Sequence, residues 1–176
     1  INRAVENINL INKNREFEKK LFYSYSLIGD SENIRNIRDQ IKKISISESR
    51  VFINGPTGSG KELIARKIHK ESKRKKEPFT VLNGALLDIK KYELELFGEE
   101  KKDGSISYGA LEKSNRGILL IDEVSEIPLE TQSKILRVLI DQKFKRINGN
   151  HDINVDVRII CSSSKDIKQE IENGNF

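Results

Sequence analysis

Methionine is missing from the 176-residue sequence, and cysteine occurs once. A single thiol cannot close an internal disulfide, so a disulfide-scaffolded secreted domain is excluded and a cytoplasmic location is expected. Cys161 lies in the apolar run VRIICSS, where a lone cysteine reads as a small buried residue. A chain that opens on Ile and holds no Met is expected to be a piece of a longer protein. No apolar stretch reaches membrane-spanning length and no signal-peptide pattern opens the sequence, so no membrane partner is expected. The two histidines, His69 and His151, stand apart without metal-ligand spacing.

What is present is polar but globular: 36% hydrophobic and 34% charged residues, with a length that suits one domain with a core. The net charge of +5 permits a polyanionic partner without pointing to one. Residues 1–21 lack Gly and Pro and read as helix. Ile1, Ala4, Ile8 and Ile11 follow a coiled-coil seam that Arg15 and Glu18 then break. A linker helix packed on a neighbouring domain and a dimer helix both fit. The division expected is therefore 1–24, linker helix, and 25–176, a larger domain.

Past the junction SYSLIGDS, a polar helix carries Ile34, Ile37 and Ile41 on one face. From Val51 onward, short apolar strands alternate with helices. The strands are VFIN, FTVLNG, GILLID (117–122) and VRIICSS. The helices are KELIARKIHKES, 86–97 and 129–142, with a further helix start at KDIKQEI. KFKRINGNHDINVDV reads as a hairpin around Asn148-Gly149. This alternation predicts an α/β fold with a parallel sheet covered on both faces.

Two segments carry chemistry. Residues 55–62, GPTGSGKE, follow a strand and open a helix, the context of a phosphate-cradling loop. Gly55, Gly58 and Gly60 let the backbone bend. Successive N–H groups of the loop then converge on phosphate oxygens, with Thr57 and Ser59 among the nucleotide-binding residues; the helix N-terminus adds its partial positive charge, and Lys61 reaches the terminal phosphates. Glu62 stands where a magnesium-holding Ser or Thr is usual. The second segment is ILLIDE (118–123). It places Asp122 and Glu123 at the C-terminal end of a buried strand, the edge where open α/β sheets bind ligands. Asp122 suits a hard cation, directly or through water, and Glu123 suits orienting or deprotonating water. Asn83, at the end of FTVLN, is expected to hydrogen-bond Glu123. Ser162, Ser163 and Ser164 either face the phosphates or are ordinary turn polarity, the latter being favoured. Lys73, Arg74, Lys75 and Lys76 read as a solvated basic loop.

With these residues in hand the sequence resembles the AAA+ ATPase domain of bacterial activators of sigma-54 RNA polymerase, and more narrowly NtrC/NtrX-type response regulators. The resemblance runs from LIGDS (27–31) through GPTGSGKELIARKIH, ELELFG, GALEKSNRGILLIDEV, IPLETQSKILRVL and VDVRIICSS to GNF (174–176). It implies a three-layer P-loop AAA+ fold that is incomplete, lacking the fifth strand and the helical lid. It implies ATP and Mg2+ as cofactors, with Asp122 toward the metal and Glu123 toward water. Asn83 becomes a switch that couples Glu123 to nucleotide state, and Ile28, Gly29, Pro56 and Ser164 join the nucleotide contacts. Glu after GK is usual in that family, so Glu62 is expected to leave the metal to water and Asp122.

As partners the resemblance implies a homo-oligomer, dimer or ring, and RNA polymerase. DNA and a sensor kinase would be reached through domains outside this chain, and residues 1–21 look like the end of a receiver domain with its linker. The family's GAFTGA segment, which touches sigma-54, has no counterpart in the shorter EEKKDGSISY (99–108), so sigma-54 contact lacks its usual element. Without that contact, a nucleotide-binding regulator acting through DNA is the alternative. Pro56 replaces an acidic residue, Ser164 replaces the usual sensor Asn, and the match ends at Phe176, just before the family's arginine fingers. Weak to moderate ATP binding and poor hydrolysis are expected of the 176 residues alone. The family's strand order puts the 158–162 strand between the Gly55 and Asp122 strands, leaving VFIN at the edge. An unrelated P-loop ATPase would order them differently.

Overall fold

A computed structural model describes residues 27–85 and 89–176. The expected 1–21 helix and the start of the expected 86–97 helix lie outside the described residues. By their contacts the residues fall into two units, 1–39 and 40–176. In the described part of the first, Arg38 gathers the turn at 27–30. Its guanidinium donates to Leu27 O (2.8 Å) and Gly29 O (2.7 Å) and pairs with Asp30 at 3.4 Å.

Helix α1, Glu32–Ile46, leads into the second unit, where Ile41 and Ser45 are buried. There follow β1 (Val51–Asn54), α2 (Lys61–Glu71), β2 (Phe79–Asn83), α3 (Ile89–Phe97), β3 (Gly98–Glu100), β4 (Ile106–Tyr108), α4 (Ala110–Lys113) and β5 (Ile118–Asp122). After a 3-10 turn at Val124–Glu126 come α5 (Leu129–Asp141), β6 (Lys143–Phe144), β7 (Ile153–Asn154), β8 (Arg158–Ser163) and α6 (Ile167–Glu172).

Four strands form a parallel sheet in the order β1-β8-β5-β2. This is the order expected from the resemblance, with β8 between the loop strand and the acid strand and β1 at the edge. Each residue from Ile118 to Ile121 of β5 is 0% exposed. Alternate side chains of a strand point to opposite faces, so total burial requires cover on both. Leu119, Ile121 and Ile159 join one cluster with Tyr92 and Leu96 of α3 and Ile135 and Val138 of α5. Helix α2, with Ala65 and Ile68 buried, contacts β1, β5 and β8. Burying each aliphatic side chain contributes about 1.5–3 kcal/mol.

The expected hairpin is present as β6–β7, antiparallel, with Asn148 at φ 60° in its connection. A second hairpin, β3–β4, occupies the EEKKDGSISY stretch. Lys101 N donates to Ser105 O, and Asp103 Oδ1 accepts from Ser105 N (2.9 Å) and Oγ (2.7 Å). Arg146 ties the two together, pairing with Glu100 at 2.9 Å and Glu112 at 2.6 Å.

The basic loop is only partly solvated. Lys73, Lys75 and Lys76 are exposed. Arg74 turns inward, pairs with Glu48 (2.8 Å) and Asp156 (2.7 Å), and donates to Gly117 O. A guanidinium fork can bridge several acceptors where an ammonium cannot, which a run of basic letters does not reveal. His69 packs on Phe79 and bonds Glu77 O at 3.0 Å, and burial holds its pKa below the usual value.

Strands β2 and β5 begin in contact. Ile118 N donates to Pro78 O, and a Cβ on Gly117 would lie 2.0 Å from that oxygen. Gly117→Ala must therefore displace backbone. Urea unfolding is expected to show a loss of about 3 kcal/mol or more.

Candidate functional site

The parallel register brings four strand ends to one edge of the sheet. Asn54 is level with Ser163, and Asn83 is level with Asp122. The loop after β1 then turns into α2. Gly58 (φ 79°) and Gly60 (φ 90°) occupy left-handed backbone that residues with a Cβ adopt reluctantly. Gly55 N is committed to Ser163 O at 3.2 Å, and Pro56 has no N–H. Ser59 N likewise donates to Pro56 O at 3.1 Å. The donors of the cradle are therefore those of residues 57, 58 and 60–62, where the first turn of α2 leaves N–H groups without intrahelical partners. Proline at 56 removes a donor at a position beside one already spent.

Lys61 is 7% exposed and bent over its own loop. Its ammonium donates to Gly55 O (3.0 Å) and Pro56 O (3.4 Å) and pairs with Glu123 Oε1 at 3.1 Å. Glu62 points elsewhere. Its carboxylate pairs with Arg66 one turn on, at 2.7 Å, and is half exposed. It serves the first turn of α2, where an acid complements the helix dipole.

Glu123 adopts φ 54°, ψ 51°, a conformation unusual outside glycine. Its Oε2 accepts the N–H and the hydroxyl of Ser164, each at 2.8 Å. Burial works to raise this carboxyl's pKa, but the two Ser164 hydrogen bonds and Lys61 outweigh it and hold the group below the ordinary value. Asp122 accepts from Ser162 Oγ at Oδ1 and from Asn83 Nδ2 at Oδ2, the latter at 3.2 Å.

This corrects two expectations. Asn83 is bonded to Asp122, not to Glu123, because strand pairing sets Asn83 level with Asp122 while the left-handed turn carries Glu123 away toward β8. Nor are the serines turn polarity. Ser162 and Ser163 lie within β8, each 0% exposed, and Ser163 shares a hydrogen with Ser125 Oγ at 2.8 Å. Ser125 was not anticipated; its signal was a hydroxyl two residues past the acid pair, facing a strand that ends in hydroxyls. Cys161, also in β8, has its thiol pushed up to about 12 by burial. It is a packing residue with no reactive thiolate. Ile28 (85% exposed) and Gly29 belong to the first unit.

The edge thus gathers a cation, two carboxylates and a row of backbone donors. Residues 27–176 match the Sigma-54 interaction domain family. The chain belongs to that family. Over 175 residues it is 41% identical to the nitrogen assimilation regulatory protein NtrX of Azorhizobium caulinodans, covering 99% of this chain and 38% of that protein. The crystal structure of NtrX from Brucella abortus superposes with a TM-score of 0.89 at 41% identity, over 99% of this chain and 38% of that one. NtrX from Brucella abortus in complex with ATP gives 0.86 at 39% identity, over 98% and 40%. The sigma-54 interaction domain seen here therefore spans well under half the length of these relatives. Among the described residues no helix is long and apolar enough to cross a membrane.

The depressed Glu123 pKa has a definite sign. The ionised form contributes stability above about pH 4.5, the ordinary value, and the contribution is lost as pH falls through the lower folded pKa. Glu123→Gln is accordingly expected to unfold at lower urea than wild type at neutral pH. The gap should close as unfolding is repeated at progressively more acid pH.

Proposed function

We propose that this chain is the ATP-binding and ATP-hydrolysing module of a two-component transcription regulator, in which hydrolysis drives rearrangement of a homo-oligomer to regulate RNA polymerase. The convergence of Lys61, Asp122 and Glu123 beside the N-terminus of α2 carries the reading. Phosphate oxygens would sit against the N–H groups of residues 57, 58 and 60–62 and the positive end of α2. Lys61, already beside the loop carbonyls, needs only a side-chain rotation to reach the terminal phosphates as a point charge. Glu123 would orient the attacking water and take its proton. That a homologous NtrX was crystallised with ATP supports the same assignment.

Asp122 fits magnesium in one particular way. Both of its oxygens already accept protein hydrogen bonds, and no group of three or more His, Cys, Asp or Glu side chains is arranged for a metal among the described residues. A cation that keeps its water shell and leans on one carboxylate and on substrate phosphates suits such a site. Magnesium so bound supplies charge neutralisation on the phosphate oxygens. DNA and a sensor kinase are proposed as partners through domains outside this chain.

One observation favours a second reading. Residues 98–108 close into the β3–β4 hairpin, locked by Asp103 and without GAFTGA. On this reading the protein binds nucleotide but regulates through DNA without engaging sigma-54. ATP turnover of the full-length protein tests the first reading. Glu123→Gln is expected to lower kcat about 100-fold or more, and Lys61→Ala to weaken ATP binding about 10-fold or more. Equal turnover by wild type and Glu123→Gln would defeat the hydrolytic reading. Turnover without a sigma-54 complex would favour the second.

A further inference from the structure

We propose that the sheet edge opposite the glycine loop holds an anion site, built by Arg50, Arg74 and Arg158 for a small phosphate dianion. The three come from separate stretches: Arg50 precedes β1, Arg74 follows α2 and Arg158 opens β8. They line one cavity of about 440 Å³, a size usual for small-molecule sites. Leu139, Val157 and Ile159 give it an apolar wall. All six residues belong to the second unit. The glycine loop lies past the other end of β1, so the inference does not depend on the nucleotide reading.

The distribution of charge points to an anion. Two acids share the cavity, Glu48 and Asp156, and Arg74 pairs with both, at 2.8 and 2.7 Å. Among the described residues, Arg50 and Arg158 have no ion pair; their printed partners are carbonyls. Arg50 donates through Nη2 to Leu139 O, in the last turn of α5. Arg158 is 3% exposed; its Nε donates to Ser49 O (3.1 Å) and its Nη2 to Ile44 O (2.8 Å), in the last turn of α1. Capping helix ends accounts for those donors. It leaves Nη1 of Arg158, which is buried and has no hydrogen-bond partner. A buried cation without a counter-charge is costly. Burial holds the Arg158 pKa below its usual value, with Glu48 working against the fall and Arg74 with it.

Two unpaired guanidinium groups select the ligand. A carboxylate brings one negative charge and answers one arginine. A phosphate group brings about 1.5–2 negative charges at neutral pH, and its oxygens can meet two planar forks at once. Nη1 is closed to solvent in this structure, so pairing draws the Arg158 side chain toward the cavity it lines. Inorganic phosphate and a small organic phosphate share this chemistry.

The test titrates inorganic phosphate, glycerol phosphate and acetate calorimetrically into the full-length protein at constant ionic strength. Lys61→Ala serves as the background, so that the glycine loop does not report. Phosphate is expected to bind with a Kd of about 1 mM or tighter and to raise Tm accordingly. Arg50 is exposed, so Arg50→Gln probes the site without opening the core. It is expected to weaken phosphate about 10-fold or more, the loss of a charge-assisted bond. Arg158→Lys keeps the charge but not the fork and is expected to weaken it similarly. Glycerol phosphate binding about 10-fold tighter than phosphate would assign the site to an organic ester, and equal binding to the free ion; either supports the proposal. No phosphate binding in the Lys61→Ala background would overturn it. So would an unchanged Kd in Arg50→Gln or in Arg158→Lys, and so would acetate binding as tightly as phosphate.

Discussion

Everything at the site depends on the complete burial of β5. Four consecutive apolar residues with no exposure need a hydrogen-bonded strand on each side and a helix layer on each face. Those demands select a parallel sheet with crossover helices. A parallel sheet in turn collects all its strand C-termini at one edge. The acids that follow Ile121 are therefore delivered beside the loop that follows Asn54 and the serines that end β8. The site is what the ends of a buried strand look like once its neighbours run the same way.

Charge at that edge is handled by reciprocity. Lys61 and Glu123 are both nearly buried, with side chains 8% and 14% exposed. An isolated charge there would be costly, but each has hydrogen bonds beyond the pair itself. Lys61 leans on two loop carbonyls, and Glu123 on Ser164. Either partner can lose the other without becoming an unsatisfied buried ion. That property suits a lysine that must exchange one anion for another.

The glycine loop and ILLIDE were legible in the sequence because their signals are local: apolar runs, special backbone positions and a helix start within a few residues. The sheet order was expected only through the family resemblance, and the structure bears it out. What stayed hidden were pairings fixed by register. Asn83 sits level with Asp122 because of how β2 and β5 align, and no local pattern says so. Glu62 looked like a flaw in a metal site; its partner, Arg66, is one turn along the helix, at a spacing that was readable. The three serines were visible as letters, but their meaning depended on β8 lying beside the acids. Arg74 was hidden in a run of like charges, although it reaches two acids distant in sequence.

The hydrogen bonds on Asp122 bear on which ion could be tolerated. Calcium seeks six to eight oxygen ligands and readily strips its water, so it favours carboxylates with open lone pairs. Here Ser162 and Asn83 have taken one lone pair on each oxygen, and neither donor comes from a loop that could easily withdraw. A carboxylate dressed in this way discriminates by dehydration: it presents a bonded surface that suits an ion already wrapped in water, and gives poor terms to one that must be unwrapped.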